Sequence, residues 1–284
     1  MNKESVVHKR KKAVKYLLIH LALIAAAAAC VYPLLRILSV SIRPGDKLIS
    51  TDLSLIPDGA TFAAYARLLK ETLFLRWLWN SLLITVSTSF IGVSLASTAA
   101  YAFSRFRFAG KRSGLVLLLS TQMIPAGMLI LPLFLMIMKL GLMNTYLGII
   151  IAYSVSSLPF SIWILKGYYD TIPRSLEEAA LVDGTSQLGA FYRIILPLST
   201  PALSIAFLFN FTTAWNEYLV ARVVLFSSQQ YTWTLGLFEL QGQYITQWGM
   251  FAAGSMLVTA PVLAVFLYSS KWLISGLTLG SVKG

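Results

Sequence analysis

The sequence predicts an all-α polytopic membrane protein with six transmembrane helices. Of its 284 residues, 57% are hydrophobic and only 12% are charged, and the mean hydropathy is +0.73. Soluble domains carry about twice that share of charged residues. Six apolar runs each reach the length of about 20 residues that a helix needs to cross the hydrocarbon layer. Little sequence is left between them, so no separate soluble domain is expected.

The charge pattern predicts the orientation of the chain. Its formal net charge is +12, and residues 1–15 form a basic tail in which Glu4 is the one acidic residue. The short segment 104–112 is also basic and contains no acid. Because Lys and Arg collect in cytoplasmic loops, both termini are predicted to be cytoplasmic. No basic stripe is interleaved with aromatic residues, so the expected surroundings are membrane lipid and not nucleic acid.

The first span is predicted over residues 16–42. Residues 27–30 faintly resemble a lipoprotein cleavage site, but the apolar run continues past Cys30. Residues 43–76 form a mixed-charge outer loop, in which the periodicity of 61–76 predicts a helix on the membrane surface. The second span, 77–103, contains many small and hydroxylated residues. These suit tight helix packing, with the lining of a pathway as the alternative.

The remaining spans follow in the second half of the chain. They are predicted at residues 113–138, 146–169, 200–224 and 250–273. Pro125 and Pro132 break the third span, and single prolines lie in the fourth and sixth. Residues 226–249 form an outer loop rich in Gln, Tyr and Trp, and residues 274–284 form a short cytoplasmic tail.

The polar segment 170–199 is predicted to fold as helix, turn and helix. Pro173 suits a first helical turn, and Ser175 with Glu178 fits a capping box. Gly184 ends the first helix, because glycine accepts the left-handed conformation required there. Ser186 can cap a second helix that runs to about Ile195. On periodicity alone this is an amphipathic surface hairpin, with Glu178 as a capping carboxylate only.

The spacing of the same segment resembles a known motif. Glu178-Ala179-Ala180, then Gly184, then Ile194-x-Leu196-Pro197 is similar to the EAA loop of permease subunits in binding-protein-dependent ABC importers. Further similarity covers most of the chain, at residues 121–125, 141–146, 215–218 and 276–284. These stretches resemble the smaller permease subunit of maltose-type carbohydrate importers. Leu279 and Ser281 depart from that pattern, where smaller residues are expected.

The resemblance implies a set of partners and contact residues. In that family the EAA loop, here 170–199, is a cytoplasmic coupling helix that docks in a groove of a separate ATPase subunit. The residues implied in that groove are Glu178, Ala179, Ala180, Asp183 and Gly184. The C-terminal contacts to the ATPase dimer would be Gly280, Ser281, Val282, Lys283 and Gly284. The contacts to an extracellular sugar-binding protein would be Glu239, Leu240, Gln241, Gly242, Gln243 and Tyr244. A second, larger permease would complete a heterodimer.

The sequence contains no nucleotide-binding loop of the GxxxxGK[ST] type and suggests no catalytic constellation. With one cysteine and two histidines, neither an intrachain disulfide nor a metal cluster is expected, and no cofactor is implied. The chain is therefore predicted to be a non-enzymatic subunit, moving sugars such as maltodextrins across the cytoplasmic membrane of a prokaryote.

Intramembrane polar residues are sparse. Asn216 and Glu217 are candidates for the translocation pathway, since a charged residue within a span is by default a candidate for a functional role. The alternative is that Glu217 pairs with Arg222 or lies near the outer interface. An alternative function, a self-sufficient secondary carrier or channel driven by an ion gradient, would need no ATPase. A membrane scaffold without transport is disfavoured by the proline-broken spans.

Overall fold

The structure is a computed structural model that describes residues 3–46, 54–242 and 246–279, and these residues contain helices and loops but no strand. The helices are α1 (Lys3–Ser41), α2 (Ala63–Glu71), α3 (Phe74–Arg105), α4 (Lys111–Thr121), α5 (Ala126–Lys139), α6 (Tyr146–Tyr169), α7 (Ser175–Val182), α8 (Gln187–Ala190), α9 (Leu196–Leu198), α10 (Thr200–Trp215), α11 (Leu219–Val224), α12 (Trp233–Glu239) and α13 (Trp248–Leu279). The chain divides into two compact units, Met1–Thr72 with Leu240–Leu257 and Leu73–Glu239 with Val258–Gly284.

Helix α1 dominates the first unit, and the long apolar part of it is exposed. Every side chain from residue 14 to residue 35 is exposed. A continuous apolar helix satisfies its backbone hydrogen bonds internally, so this surface suits lipid. At the end of α1, the Ser41 hydroxyl lies 2.8 Å from the Tyr65 hydroxyl, and the Thr61 N–H donates to the Ile42 carbonyl. These bonds hold α2 against the end of α1.

The predicted surface helix over residues 61–76 is shorter than expected. Helix α2 ends at Glu71, and Thr72 has an extended backbone with its hydroxyl donating to the Leu68 carbonyl. The residues from Phe74 onwards belong to α3. The apolar periodicity therefore spans two helices, and the break falls at a residue whose side chain competes for the helical carbonyl.

In the second unit, α3, α6 and α10 pack through small and polar residues. Gly92 faces Asn210, and a Cβ on it would lie 3.0 Å from the Asn210 amide nitrogen and 3.2 Å from the Ser157 hydroxyl. Asn210 is buried and accepts a 2.9 Å hydrogen bond from Ser161. Small residues let helix backbones approach closely within a membrane. Ser89, Ala96 and Ser97 are likewise buried on α3, as the packing interpretation predicted.

Two segments are sharply bent. Helices α4 and α5 meet at 103° across residues 122–125, with Pro125 at the start of α5. The helical segment 187–198 meets α10 at 77°. By length and composition, four described helices can each cross a membrane, and the number rises to six if each bent pair forms one span.

The predicted span 200–224 is not one helix. Helix α10 ends at Trp215, and α11 begins at Leu219. At the break the Asn216 side chain donates to the Thr212 carbonyl, and the Glu217 carboxylate accepts from the backbone N–H groups of Val220 and Ala221. Polar side chains that bind nearby backbone compete with a continuous helix, which apolar length alone does not reveal.

Candidate functional site

Helix α7 and the turn that follows it have a well-defined end. Gly184 has φ +83°. Its N–H donates to the Leu181 carbonyl at 3.1 Å, and the Thr185 N–H donates to the Ala180 carbonyl at 2.9 Å. This pair of bonds is the Schellman motif, which needs a left-handed residue at its centre. The predicted helix stop at Gly184 is confirmed.

The predicted capping box at the start of α7 is wrong. Ser175 is the first helical residue, and Arg174 before it has a helical backbone without a side-chain cap. The Arg174 carbonyl accepts from both Glu177 and Glu178 N–H groups at 3.0 Å. An N-cap residue normally has an extended backbone, so the helical turn entering α7 leaves Ser175 no capping role, and Glu178 is not a capping partner.

The second helix of the segment begins as predicted and ends later. The Ser186 hydroxyl accepts from the Gly189 N–H at 3.1 Å, so this N-cap is confirmed. Helix α8 then passes into a π-helical turn, Phe191–Ile195, and α9 continues to Leu198. Pro197 lies within α9 and not after the helix, directly following the π-helical turn.

The residues that the resemblance assigns to the ATPase groove lie largely on the surface. Glu178, Ala179, Asp183 and Gly184 are exposed, and Ala180 is half-buried. Apolar side chains accompany them. The exposed members are Leu176, Leu181, Val182, Leu188 and Tyr192, with Val182 87% exposed. We call these exposed residues of α7 and α8 together with Tyr192 the docking surface. Exposed apolar clusters with polar neighbours mark interaction sites.

Glu177 points the other way and was missed by the sequence reasoning. It is buried, and the Tyr101 hydroxyl donates to its carboxylate at 2.7 Å. The Arg105 Nε donates to the second oxygen of the same carboxylate. The ion pair is almost fully enclosed, with side-chain exposures of 6% for Arg105 and 10% for Glu177. We call Tyr101, Arg105 and Glu177 the Arg105 cluster.

The Arg105 guanidinium also binds the end of α6. One terminal nitrogen donates to the Tyr169 carbonyl at 2.9 Å, and the other donates to the Ile172 carbonyl at 3.1 Å. Arginine holds several acceptors at once because its donors form a rigid planar fork. Arg105 therefore joins the last turn of α3 to α7 and to the chain leaving α6. Sequence spacing offers one clue: adjacent carboxylates on a helix point about 100° apart, so Glu177 and Glu178 cannot face the same way.

A second group of polar contacts joins the same end of α3 to the end of α6. The Ser104 hydroxyl donates to Asp170 at 2.7 Å, and the Lys166 ammonium lies 2.5 Å from the other Asp170 oxygen. Burial raises the pKa of Asp170, but hydrogen bonds from Lys166 and Ser104 and the charges of Lys166 and Lys111 outweigh it, so the pKa is lowered. Asp170 therefore carries its negative charge at neutral pH.

The opposite end of α3 is held to backbone carbonyls by neutral side chains and by the exposed Arg76 guanidinium, whose Nε donates to the Gln229 carbonyl at 2.8 Å. The Asn80 amide donates to the Gln229 and Tyr231 carbonyls, both at 3.0 Å, and accepts from the Tyr146 hydroxyl at 2.8 Å. The Trp77 indole N–H donates to the Ser228 carbonyl at 2.8 Å. These bonds fasten the loop that follows α11 to α3.

Asn144 explains part of the 141–146 motif. It adopts φ +56°, a conformation that asparagine tolerates better than most residues. Its side-chain oxygen accepts from the N–H groups of Phe226 and Ser227. Thr145 then caps α6 by accepting from the Gly148 N–H. The motif thus fixes the loop and starts the helix.

The proposed pathway residues lie where α10 ends. The Glu217 carboxylate accepts from the Tyr153 hydroxyl at 2.8 Å and caps α11. Arg222 lies 3.5 Å from Glu239, so the alternative in which Arg222 pairs with Glu217 is wrong. Asn216 is exposed. These contacts give Glu217 a structural role at the helix break, whatever it contributes to a pathway.

An open cavity of 1080 Å³ lies along α3, α10 and α13 within the second unit. Its lining is mainly aromatic and aliphatic, including Phe90, Leu203 and Phe207, with Ser94 and Ser97 among the hydroxyls. Two of the α3 hydroxyls considered for a pathway therefore border open space.

The residues expected to contact a binding protein differ in exposure. Glu239 is exposed, Gln241 is half-buried, and Gly242 is exposed with φ +54°. Leu240 is buried. Little of the Leu240 side chain is therefore accessible to a partner. Gln243 and Tyr244 lie outside the described residues, as do Gly280, Ser281, Val282, Lys283 and Gly284 of the tail.

Comparison with known proteins identifies close similarity along the whole chain. The chain is 36% identical to the galactooligosaccharides transport system permease protein GanQ of Bacillus subtilis, over 97% of this chain and 98% of that protein. It is 35% identical to the maltose/maltodextrin transport system permease protein MalG of Salmonella typhimurium, over 99% and 100% of the two chains. The alternative of a self-sufficient carrier gains no support from these relatives.

Solved structures agree with these relatives. A chain of a bacterial ABC transporter involved in the import of the acidic polysaccharide alginate matches with a TM-score of 0.80 and 26% identity, covering 93% of this chain and 98% of that one. A second alginate transporter chain shares the fold, with a TM-score of 0.66. The family model of binding-protein-dependent transport system inner membrane components matches residues 88–275. That match spans α6 to α10 and most of α3, including the docking surface and Arg105. The chain therefore belongs to the family of binding-protein-dependent transport system inner membrane components.

Proposed function

We propose that this chain is the permease subunit of an ATP-driven importer that takes up oligosaccharides resembling maltodextrins. The support is the full-length similarity to permeases named for maltodextrin and galactooligosaccharide transport. An extracellular binding protein delivers the sugar, and a second, larger permease completes the membrane pathway. The chain hydrolyses no ATP itself, because its sequence has no nucleotide-binding loop.

The docking surface is the contact with the ATPase. Its exposed apolar side chains, Leu181 and Val182 above all, leave water when they enter a groove on that subunit. Glu178 lies on the same exposed side of α7 and pairs with a basic group at the rim of the groove. The Schellman turn at Gly184 fixes the angle between α7 and α8. This combination of exposed apolar residues and a fixed turn is the observation that supports the proposed ATPase contact.

In this mechanism ATP closes the ATPase dimer, and the dimer moves α7 as a rigid lever. The helices then change from an inward-facing to an outward-facing arrangement. ATP drives the change because it binds one arrangement more tightly than the other. Hydrolysis returns the transporter to its starting arrangement.

The same proposal fixes the orientation in the membrane. The docking surface, the basic segment 104–112 and both termini are cytoplasmic, following the excess of Lys and Arg in residues 1–15 and 104–112 and the alternation of six spans. The loop between α11 and α13 is extracellular, where Glu239, Gln241 and Gly242 meet the binding protein. The C-terminal residues Gly280–Gly284 reach the ATPase dimer.

Affinity purification from native membranes tests the assembly. The tagged wild-type chain is expected to recover an ATPase and a second permease, identified by mass spectrometry. The Glu178→Lys variant is expected to recover much less ATPase. Glu71→Lys makes the same charge change at an exposed residue of α2 and serves as the matched control.

Sugar uptake into membrane vesicles tests the energy source. Uptake should follow internal ATP and persist when proton and sodium gradients are collapsed. Recovery of the chain alone, with uptake driven by a gradient, would overturn the proposal.

A further inference from the structure

We propose that Arg105 and Glu177 are positioning residues that transmit the movement of α7 to α3 and α6 during transport. The inference rests on the proposed function, since it assumes that α7 docks on an ATPase. Neither residue belongs to the docking surface. Both lie beneath it, in the Arg105 cluster.

The way α7 is attached to the second unit points to this role. All eight residues of α7 are described, and Glu177 is the buried one among them. A short helix normally holds to its neighbours through apolar side chains, yet here the buried contact is a carboxylate. Apolar contacts allow small sliding movements, whereas a carboxylate between an arginine fork and a tyrosine hydroxyl accepts a narrow range of geometries.

Burial makes this contact difficult to open. The Arg105 and Glu177 side chains have exposures of 6% and 10%. Separating them would leave two enclosed charges without an opposite charge beside them, which is far more costly than breaking a surface pair. A force applied to α7 therefore moves the cluster as one body.

The other contacts of Arg105 direct that movement. The guanidinium holds the carbonyl of Tyr169, the last residue of α6, and that of Ile172 in the chain leaving α6, while Arg105 itself is the last residue of α3. The ends of α3 and α6 are thus tied to α7 through one side chain. These two helices form the packed bundle with α10, so displacement of α7 reaches the bundle directly.

The adjacent carboxylates separate docking from transmission. Glu178 is exposed and belongs to the docking surface, while Glu177 is buried in the Arg105 cluster. Loss of Glu178 should weaken ATPase binding. Loss of Glu177 should leave the ATPase bound and let it hydrolyse ATP without moving sugar.

The test uses the complete transporter reconstituted in proteoliposomes, with Glu177→Gln and Arg105→Lys variants. Three quantities are measured: ATPase recovered with the chain, ATP hydrolysis, and sugar transported per ATP. For Glu177→Gln we expect normal recovery of the ATPase and a fall of about tenfold or more in sugar transported per ATP. That is the order expected for losing one hydrogen bond to a charged group. Arg105→Lys keeps the charge but loses the fork, so an intermediate fall is expected.

Arg107→Lys is the matched control, an exposed arginine two residues further along the same segment, and its sugar per ATP should equal that of the wild type. If Glu177→Gln fails to accumulate in membranes, the Tyr101→Phe variant is measured in its place, because it removes one hydrogen bond to Glu177 and leaves the ion pair intact. A wild-type ratio in whichever of these two variants accumulates and assembles would overturn the inference. Failure of the wild-type chain to recover an ATPase would instead overturn the proposed function.

Discussion

The two ends of α3 are fastened to the rest of the second unit by different chemistry. At the Asn80 end, the neutral side chains of Trp77 and Asn80 and the exposed Arg76 guanidinium bind only backbone carbonyls, those of residues 228–231. At the Arg105 end, a buried guanidinium binds a carboxylate as well as carbonyls. The Asn80 end consequently depends on the backbone of the loop it holds and leaves the exposed side chains of Ser228 and Gln229 free to vary. The Arg105 end depends on one particular acid in α7.

The difference matches the proposed roles of the two ends. A loop held by its backbone can vary its side chains to suit a different extracellular partner. A coupling helix held by an ion pair keeps one orientation, as a lever must. The comparison predicts that stability depends more on the Arg105 side chain than on any side chain at the Asn80 end.

The largest effect should come from Arg105→Met. It leaves the Glu177 carboxylate buried beside Tyr101 without its cation, and breaking one side of a buried pair costs about 3–5 kcal/mol. Unfolding of the purified chain in mixed micelles with rising SDS measures this loss. Arg107→Met changes an exposed residue and should stay within about 0.5 kcal/mol of the wild type. Equal losses of unfolding free energy in Arg105→Met and Arg107→Met would contradict the special dependence of this end of α3 on Arg105.

Asn80→Leu should produce the next largest effect. The change removes the Asn80 donor to the Tyr231 carbonyl and the acceptor of the Tyr146 hydroxyl, while the Gln229 carbonyl keeps its hydrogen bond from Arg76. Unsatisfied buried groups cost about 1–3 kcal/mol, and the same SDS titration measures the loss. Gln229→Ala is the control, because only the backbone of this exposed residue takes part. A clear loss in Gln229→Ala would contradict the backbone attachment.

Gly184→Val sharpens the comparison at the docking surface. No atom lies within 4 Å of a Cβ at this position, so the cost arises from the left-handed backbone and is about 1–2 kcal/mol. Transport should fall more than stability, because the turn sets the angle of α7. Vesicle uptake and SDS unfolding measured side by side test this, with Gly184→Asn expected to retain more uptake. Normal uptake by the valine variant would contradict the lever mechanism.

The smallest effect concerns Asp170. Its folded-state pKa lies below the ordinary value of 3.8, so it stabilises the fold above that value, and the stabilisation is lost as the pH falls through the lowered pKa. The Asp170 side chain is 41% exposed, and solvent screening limits the effect to about 0.5 kcal/mol. Comparing acid unfolding of the wild type with Asp170→Asn should show a shallower loss below pH 3.8 in the variant. Identical profiles would contradict this role of Asp170.

The segments whose structure depends mainly on neighbouring residues were predicted correctly from the sequence. The fourth span was predicted at residues 146–169, the bounds of α6. Gly184 and Ser186 were read correctly, because a left-handed stop and an N-cap depend on neighbouring residues. The predicted span 200–224 failed at Asn216 and Glu217, where polar side chains take backbone bonds within an apolar run.

The Arg105 cluster could not be predicted in the same way. Arg105 and Glu177 are 72 residues apart, and each has a simpler local explanation. Arg105 counts as one more basic residue of a cytoplasmic segment, and Glu177 as a neighbour of the motif residue Glu178. Only the packing of α3 beside α7 brings the two charges together.

The π-helical turn Phe191–Ile195 has a consequence for evolution. A π turn contains one residue more than the corresponding α-helical turn, and the extra residue bulges out without changing the register of the helix on either side. Deleting one residue there would restore a regular α-helix and leave α7 and α8 facing the same way relative to α10. A deletion within α8 would instead rotate the residues before it by about 100°. Alignments of distant relatives should therefore carry single-residue gaps at this turn.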